Sequence, residues 1–430
     1  MVPAARISAA IEILADLDEK KRPANDSLKD WGLSHRFAGS KDRAAIASLV
    51  FDALRRKASS GFLMASDDPR AQMLGTLKLM RGMDVTAIAA LCNGQGHAPA
   101  ILSDAETHRL SHATLDDAPD HIAGDYPEWL KTAMARVYPS SAIAEGQALS
   151  NRAPVDLRVN TLKARRERQL ADLAHLGAIA TTWSPIGLRL PVGADGRGPA
   201  LTAEPAMVKG LIEVQDEGSQ LATLLSCAKQ GQQVLDLCAG GGGKTLALAG
   251  MMGNKGQIYA SDDDGRRLMP IFARLERAGA RNVQVRAPKA GVAPLSDLAG
   301  TCDIVLVDAP CTGSGTWRRN PDAKWRMRPG ALEQRMKDQD DVLASAAQYV
   351  KKDGLILYIT CSILAEENED RIALFLSEHP GFAAVDPAAM AIAAGLEALV
   401  PFVSALGPGL RLSPLTTATD GFFISGLRRT

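Results

Sequence analysis

At 430 residues the chain is too long for one ordinary domain and long enough for two to four. A hydrophobic share of 46% with 23% charged residues belongs to a globular chain, and no run of about 18 apolar residues suggests a membrane-spanning helix. Formal net charge is +0, so overall charge gives no support for a polyanionic partner.

Residues 1–135 predict a small helical domain. IEILADL, DRAAIASLVFDALRR and AQMLGTLKLMRGM space apolar residues three and four apart, and strand signals are scarce. The opening MVPAARISAAIEILADLDEKKRP sets charges into an apolar pattern, which reads as an amphipathic helix rather than a signal peptide. The six cysteines, Cys92, Cys227, Cys238, Cys302, Cys311 and Cys361, form no CxxC pair, and His108 and His112 lack companion ligands. No metal site or disulfide framework is expected, and a reducing cytoplasm fits. Residues 136–155 read as a connection.

Near residue 156 the texture changes. VDLRVNTL predicts a strand, RERQLADLAHLG a helix ending at Gly177, and GLRLP another strand, with PVGADGRGPA (191–200) as a boundary. Residues 136–205 thus hold a connection and a small α+β module, whose surplus arginines suit RNA contact. From residue 206 to the end, β-rich runs (QVLDLC, QIYASD, NVQVR, DIVLVDAP, GLILYITCS) alternate with helical patterns. That alternation predicts an α/β domain with a parallel sheet, whose ligands gather at the carboxyl ends of the strands.

Three motifs stand at such ends. In VLDLCAGGGGKT, Cys238 and Ala239 lead into Gly240, Gly241, Gly242 and Gly243, followed by Lys244 and a helix. Glycines let backbone approach a ligand closely, and helix N-terminal amides point at it. A nucleotide-hydrolase P-loop needs glycine five positions before Gly243, where Cys238 stands. Asp262 follows 19 residues after Gly243, at the end of the next strand, where an acid accepts hydrogen bonds from ribose hydroxyls. Glycine loop and acid together point to an adenosine-bearing ligand. DIVLVDAPC then puts Asp308, Pro310 and Cys311 at one strand end, and LILYITCS puts Cys361 at another.

Two thiols at neighbouring strand ends suit methylation of carbon 5 of a cytosine. That carbon is a poor nucleophile until a thiolate adds to carbon 6, and a carboxyl such as Asp308 can stabilise the developing charge. A second thiol can assist release of the product. Seven bases in residues 317–337 (Arg318, Arg319, Lys324, Arg326, Arg328, Arg335, Lys337), with Trp317 and Trp325 among them, are candidates for an RNA groove; the plain alternative is a solvated helix face.

VQDEGSQ, DLCAGGGGKT, DAPCTGSGTWRRNPDAKW, TCSILAEENE and the closing P…DGFF resemble the Sun/Nop family of RNA cytosine-5 methyltransferases, and DRAAIASLVFDALRR resembles the NusB-like helical domain of its bacterial RsmB-type members. The resemblance implies a class I S-adenosylmethionine-dependent methyltransferase (Rossmann-like) domain behind a helical NusB-like domain, S-adenosylmethionine as methyl donor and 16S rRNA as substrate. It assigns the nucleophile to Cys361 and product release to Cys311. Catalysis further draws on Asp308 and Lys244, and Cys238 to Lys244, Asp262, Asp308 and Pro310 face the cofactor. A monomer is expected. The alternative is a catalytically silent RNA-binding or ribosome-assembly factor of the same fold. Two departures stand out. Gly240 and Gly241 replace the family's Ala-Pro, which predicts a looser unbound loop. Lys289 and Ala290 replace an Asp-Ala near adenine; lysine cannot accept from the adenine amine, so adenine recognition there is expected to differ.

Overall fold

The computed structural model describes residues 1–193, 198–289 and 293–430; part of the 191–200 boundary and Ala290 lie outside the described residues. The chain divides into two compact units. One is formed by Met1–Arg152 with Trp317–Arg328, the other by most of the remainder.

The first unit is helical. Its long helices, Pro3–Lys20, Ser40–Arg55 and Pro69–Leu79, bury the apolar positions that repeat along them, among them Ile13, Ile46, Val50 and Leu74. Starts are marked by side-chain caps: Asp68 accepts from Ala71 N at 2.8 Å, and Ser103 with Glu106 forms a capping box. Helices continue to Ser150, beyond the expected end at 135, because Ala142–Ser150 buries Gly146 and Leu149.

The second unit holds two sheets. Its strands are β1 (Val155–Val159), β2 (Ile179–Ala180), β3 (Gly187–Leu190), β4 (Ile212–Val214), β5 (Gln233–Asp236), β6 (Gln257–Ser261), β7 (Val283–Arg286), β8 (Cys302–Asp308), β9 (Val350–Thr360), β10 (Phe382–Ala384), β11 (Leu410–Leu412) and β12 (Phe422–Arg429). The small sheet has the order β2-β3-β1-β4, all antiparallel, with Arg166–Asp172 as its helix. It reaches past residue 205, because β4 closes its edge. The large sheet runs β10-β12-β9-β8-β5-β6-β7, with β11 paired to β12. β5 to β9 are parallel; β10, β11 and β12 are antiparallel, so the sheet is mixed rather than wholly parallel.

Both faces of the large sheet are covered. Ile304, Leu306, Leu355, Leu357 and Ile359 pack into one core, while the alternate Val305, Val307, Ile356 and Tyr358 pack into the other. This is why the central strands read as continuous apolar runs rather than alternating ones. Each such side chain, fully buried, contributes about 1.5–3 kcal/mol. Strand order reverses between β5 and β8, and in sheets of this kind that reversal opens a ligand crevice at the carboxyl ends. Among the described residues no helix is long and apolar enough to cross a membrane, and no cluster of three or more His, Cys, Asp or Glu is placed to hold a metal.

Candidate active site

The glycine loop leaves β5 at that reversal. Leu237 N donates to Leu306 O of β8 and Ala239 N to Ser261 O of β6, so the loop starts wedged between both neighbours. Gly240 and Gly242 have φ of +48° and +82°, and a Cβ on Gly242 would lie 2.4 Å from Ile271 Cγ1. Only glycine satisfies both demands there. Gly241 has no such φ; instead Arg274 donates to its carbonyl oxygen. The loop that lacks the family's proline is therefore tied from outside by an arginine. Gly243 opens the helix Gly243–Met251, which ends the loop with N-terminal amides.

Carboxylates surround the loop. Asp262 is buried; it accepts from Gly240 N at 2.9 Å and Asp264 N at 3.1 Å, and meets Arg267 at 3.3 Å. Burial holds its carboxyl above the usual range. Two of its lone pairs go to backbone, which fixes the side chain and leaves others for ribose hydroxyls. Asp236, which the sequence reading did not single out, is fully buried and accepts from Thr245 Oγ1 at 2.6 Å, while its Oδ1 has no protein partner. Burial raises its carboxyl to about 7. Its signal was present in the sequence: an acid as the last residue of an apolar strand, directly before the glycine loop.

Lys244 Nζ lies 2.6 Å from Asp308 Oδ2 and 5.6 Å from the Phe422 ring centre. The pair spans β5 and β8 across the strand-order reversal, with Phe422 coming from the DGFF segment. Cys238 stays a neutral thiol, because burial and then the nearby carboxylates push it far up. Lys289 is exposed just beyond β7. Pro310 offers its carbonyl to Gln339 Nε2 at 2.9 Å, a structural tie.

The thiols of Cys311 and Cys361 lie 3.4 Å apart. β8 and β9 are adjacent and in parallel register, with Asp308 opposite Ile359, so the residues that follow them meet at the rim. Gly315 N donates to Cys361 O at 2.9 Å, which binds one loop to the other. The Cys361 thiol, then burial, push Cys311 well above an ordinary cysteine.

Two further motifs have structural roles. VQDEGSQ is a structural joint: Asp216 accepts from Gly218 N and Asp420 N, and Glu217 accepts from Trp183 N at 2.6 Å and Ser184 N at 2.8 Å. Two bases of the run from residue 317, Arg318 and Lys324, are folded inward. Lys324 is buried, donating to Ser150 Oγ at 2.8 Å and lying 4.9 Å over the Trp325 ring; Trp325 Nε1 donates to Leu54 O at 2.6 Å. Arg318 is also buried, at 4% exposed. Arg326, Arg328, Arg335 and Lys337 are exposed. Trp317–Arg328 thus belongs to the helical unit, with the Lys324 amine over its two tryptophan rings.

S-adenosylmethionine carries an ammonium and a sulfonium. Asp236, Asp262 and Asp308 supply acceptors beside the loop, the latter two paired with Arg267 and Lys244, and among the described residues Asp236 Oδ1 has no protein partner. Those acceptors, with the glycine turn beside them, fit the cofactor. The doubly covered sheet with its reversed β12, the glycine loop and the acid after β6 define a class I methyltransferase domain, whose cofactor is S-adenosylmethionine.

Comparisons narrow the class. A family model described as 16S rRNA methyltransferase RsmB/F matches residues 222–428, and a ferredoxin-like domain of RsmF/B-like methyltransferases matches residues 126–195. The ribosomal RNA small subunit methyltransferase B of Sodalis glossinidius is 32% identical over 365 residues, spanning 83% of this chain and 76% of that protein. Among solved structures, PH0851 aligns with a TM-score of 0.73 at 26% identity, covering 100% of this chain and 99% of that one. A methyltransferase homolog from Pyrococcus horikoshii aligns at 0.59 and 26%, covering 72% and 98%. The chain belongs to the RsmB/F family of methyltransferases.

Proposed function

We propose that this chain methylates carbon 5 of a cytosine in 16S rRNA, with Cys361 as nucleophile. The observation that carries this reading is the pair of thiols 3.4 Å apart beside the Lys244–Asp308 pair at the strand-order reversal. S-adenosylmethionine supplies the methyl group.

The Cys361 thiolate adds to carbon 6 of the ring, and the electron pair of the 5,6 double bond makes carbon 5 nucleophilic. Asp308, its other oxygen free of Lys244, faces ring nitrogen 3 and the exocyclic amine, where charge develops. After carbon 5 has taken the methyl group, the second thiol, Cys311, having lost its own proton to solvent, removes the proton from carbon 5 as a thiolate base. The carbon 6–sulfur bond then breaks, the double bond re-forms and the Cys361 thiolate returns. A structured RNA has to present this cytosine unstacked. The arginine-bearing segment 152–168 and the helical unit are the candidate RNA contacts, the latter without Lys324.

The test is transfer of labelled methyl to unmodified 16S RNA by wild type, Cys361→Ala and Cys311→Ala, with bisulfite mapping. Wild type labels one cytosine, Cys361→Ala labels none, and Cys311→Ala accumulates a covalent RNA adduct. A Cys361→Ala enzyme that still methylates overturns the cysteine assignment. Wild type that binds cofactor and RNA yet labels neither naked RNA nor assembling subunits favours a silent assembly factor.

A further inference from the structure

Glu367 lies in the turn Ala365–Glu367 after β9, with no solvent exposure. Its Oε1 accepts from Thr312 N at 2.8 Å and Gln339 Nε2 at 3.1 Å; its Oε2 accepts from Thr312 Oγ1 and Ser362 Oγ, both at 2.5 Å. Thr312 follows Cys311 and Ser362 follows Cys361. One buried carboxylate therefore grips the residue beyond each thiol. Gln339 carries the grip to the other side of Cys311 through Pro310 O, and Asn368 fixes the Cys361 side by donating to Ser362 O at 2.9 Å.

The grip is also lopsided in charge. Burial holds the Glu367 carboxyl above the usual range, and the four bonds donated to it oppose that rise by favouring its ionised form. The anion adds to the forces that disfavour a Cys311 thiolate. The titratable neighbours are Cys311, Cys361, Tyr358, whose hydroxyl donates to Glu367 O at 2.6 Å, and the Arg371–Asp340 pair, 2.8 Å apart. We propose that Glu367 is a positioning residue that makes the two thiols unequal, keeping Cys311 as the neutral donor and leaving Cys361 as the thiolate that attacks. Once Cys361 has spent its charge on carbon 6, the strongest force holding the Cys311 proton is gone, and that proton passes to solvent, leaving a Cys311 thiolate for its later role as base. This inference rests on the cysteine assignment above.

The experiment is peptide-resolved alkylation of the full-length protein with iodoacetamide between pH 6 and 9, for wild type, Glu367→Gln and Thr312→Val. Wild type reacts at Cys361 ahead of Cys311. Removing the charge in Glu367→Gln shrinks that preference by about tenfold, the worth of a one-unit change in relative pKa. Thr312→Val, which keeps the carboxylate and the Thr312 N–H bond, gives an intermediate loss and stands in if Glu367→Gln does not fold. Methyl transfer falls in kcat with RNA KM held. A preference and pH profile unchanged in either folded variant overturn the proposal. Cys361→Ala activity is measured in parallel: if it persists while the alkylation preference still depends on Glu367, the cysteine assignment fails and the positioning role stands.

Discussion

Replacing Lys324 with methionine isolates the cost of a buried amine. Lys324 is enclosed by the helical unit, and burial lowers its amine from an ordinary 10.5 to about 7. The sign follows from proton counts. Between pH 7 and 10.5 the unfolded chain carries this proton and the folded chain does not, so stability rises with pH. Below pH 7 both states carry it, and the folded state bears the whole penalty, about 5 kcal/mol at about 1.4 kcal/mol for each pH unit of the interval. Above 10.5 neither carries it and the penalty vanishes. Methionine keeps the apolar length but has nothing to titrate. Its lost hydrogen bonds to Ser150 and Arg55 O, about 1 kcal/mol each, do not vary with pH. The assay is urea unfolding of wild type and Lys324→Met at pH 7, 8 and 9, followed by tryptophan fluorescence, since Trp317 and Trp325 lie over the amine. Wild type gains on the variant by about 1.4 kcal/mol per pH unit. A difference that stays flat from pH 7 to 9 refutes the reasoning. RNA affinity is unchanged in the variant, because the amine does not reach solvent.

Two further outcomes concern the cofactor crevice. Gly242→Ala forces a Cβ onto Ile271 at 2.4 Å with φ +82°; it costs about 1–3 kcal/mol of stability and weakens S-adenosylmethionine binding. Unchanged melting temperature and unchanged Kd by calorimetry would contradict the strained-turn argument. Lys289→Asp restores an acceptor near adenine and tightens the cofactor by about three- to tenfold, the worth of one hydrogen bond; an unchanged Kd removes position 289 from adenine recognition.

The catalytic sheet was legible because its central strands are buried on both faces, and their apolar runs end in glycine or acid. QVLDLC contains its strand whole, and DIVLVDAP and GLILYITCS cover the carboxyl-terminal parts of strands that begin earlier, at Cys302 and Val350. The antiparallel tail was not legible. β10 and β11 have three residues each, too few to show a period, and β12 takes its direction from β9, a pairing no local pattern encodes. Asp236 was missed for a similar reason. Set in an apolar strand it reads as a strand residue, and only burial without a cation partner marks it.

The basic tryptophan segment teaches the opposite lesson. Cations interleaved with aromatics serve two ends with the same chemistry, because a ring face attracts a protein ammonium as it stacks on a base. Composition cannot choose between them; the surroundings do. Ser150 Oγ and the Arg55 carbonyl stand ready for the Lys324 amine, and the Leu54 carbonyl for the Trp325 indole. Each bond is made to a residue more than a hundred positions away in sequence. The thiol pair was legible where the Lys324 contacts were not because its partners were set by strand adjacency, which the βαβ alternation already implied, whereas the partners of Lys324 depend on a chain that leaves the helical unit after Arg152 and rejoins it at Trp317.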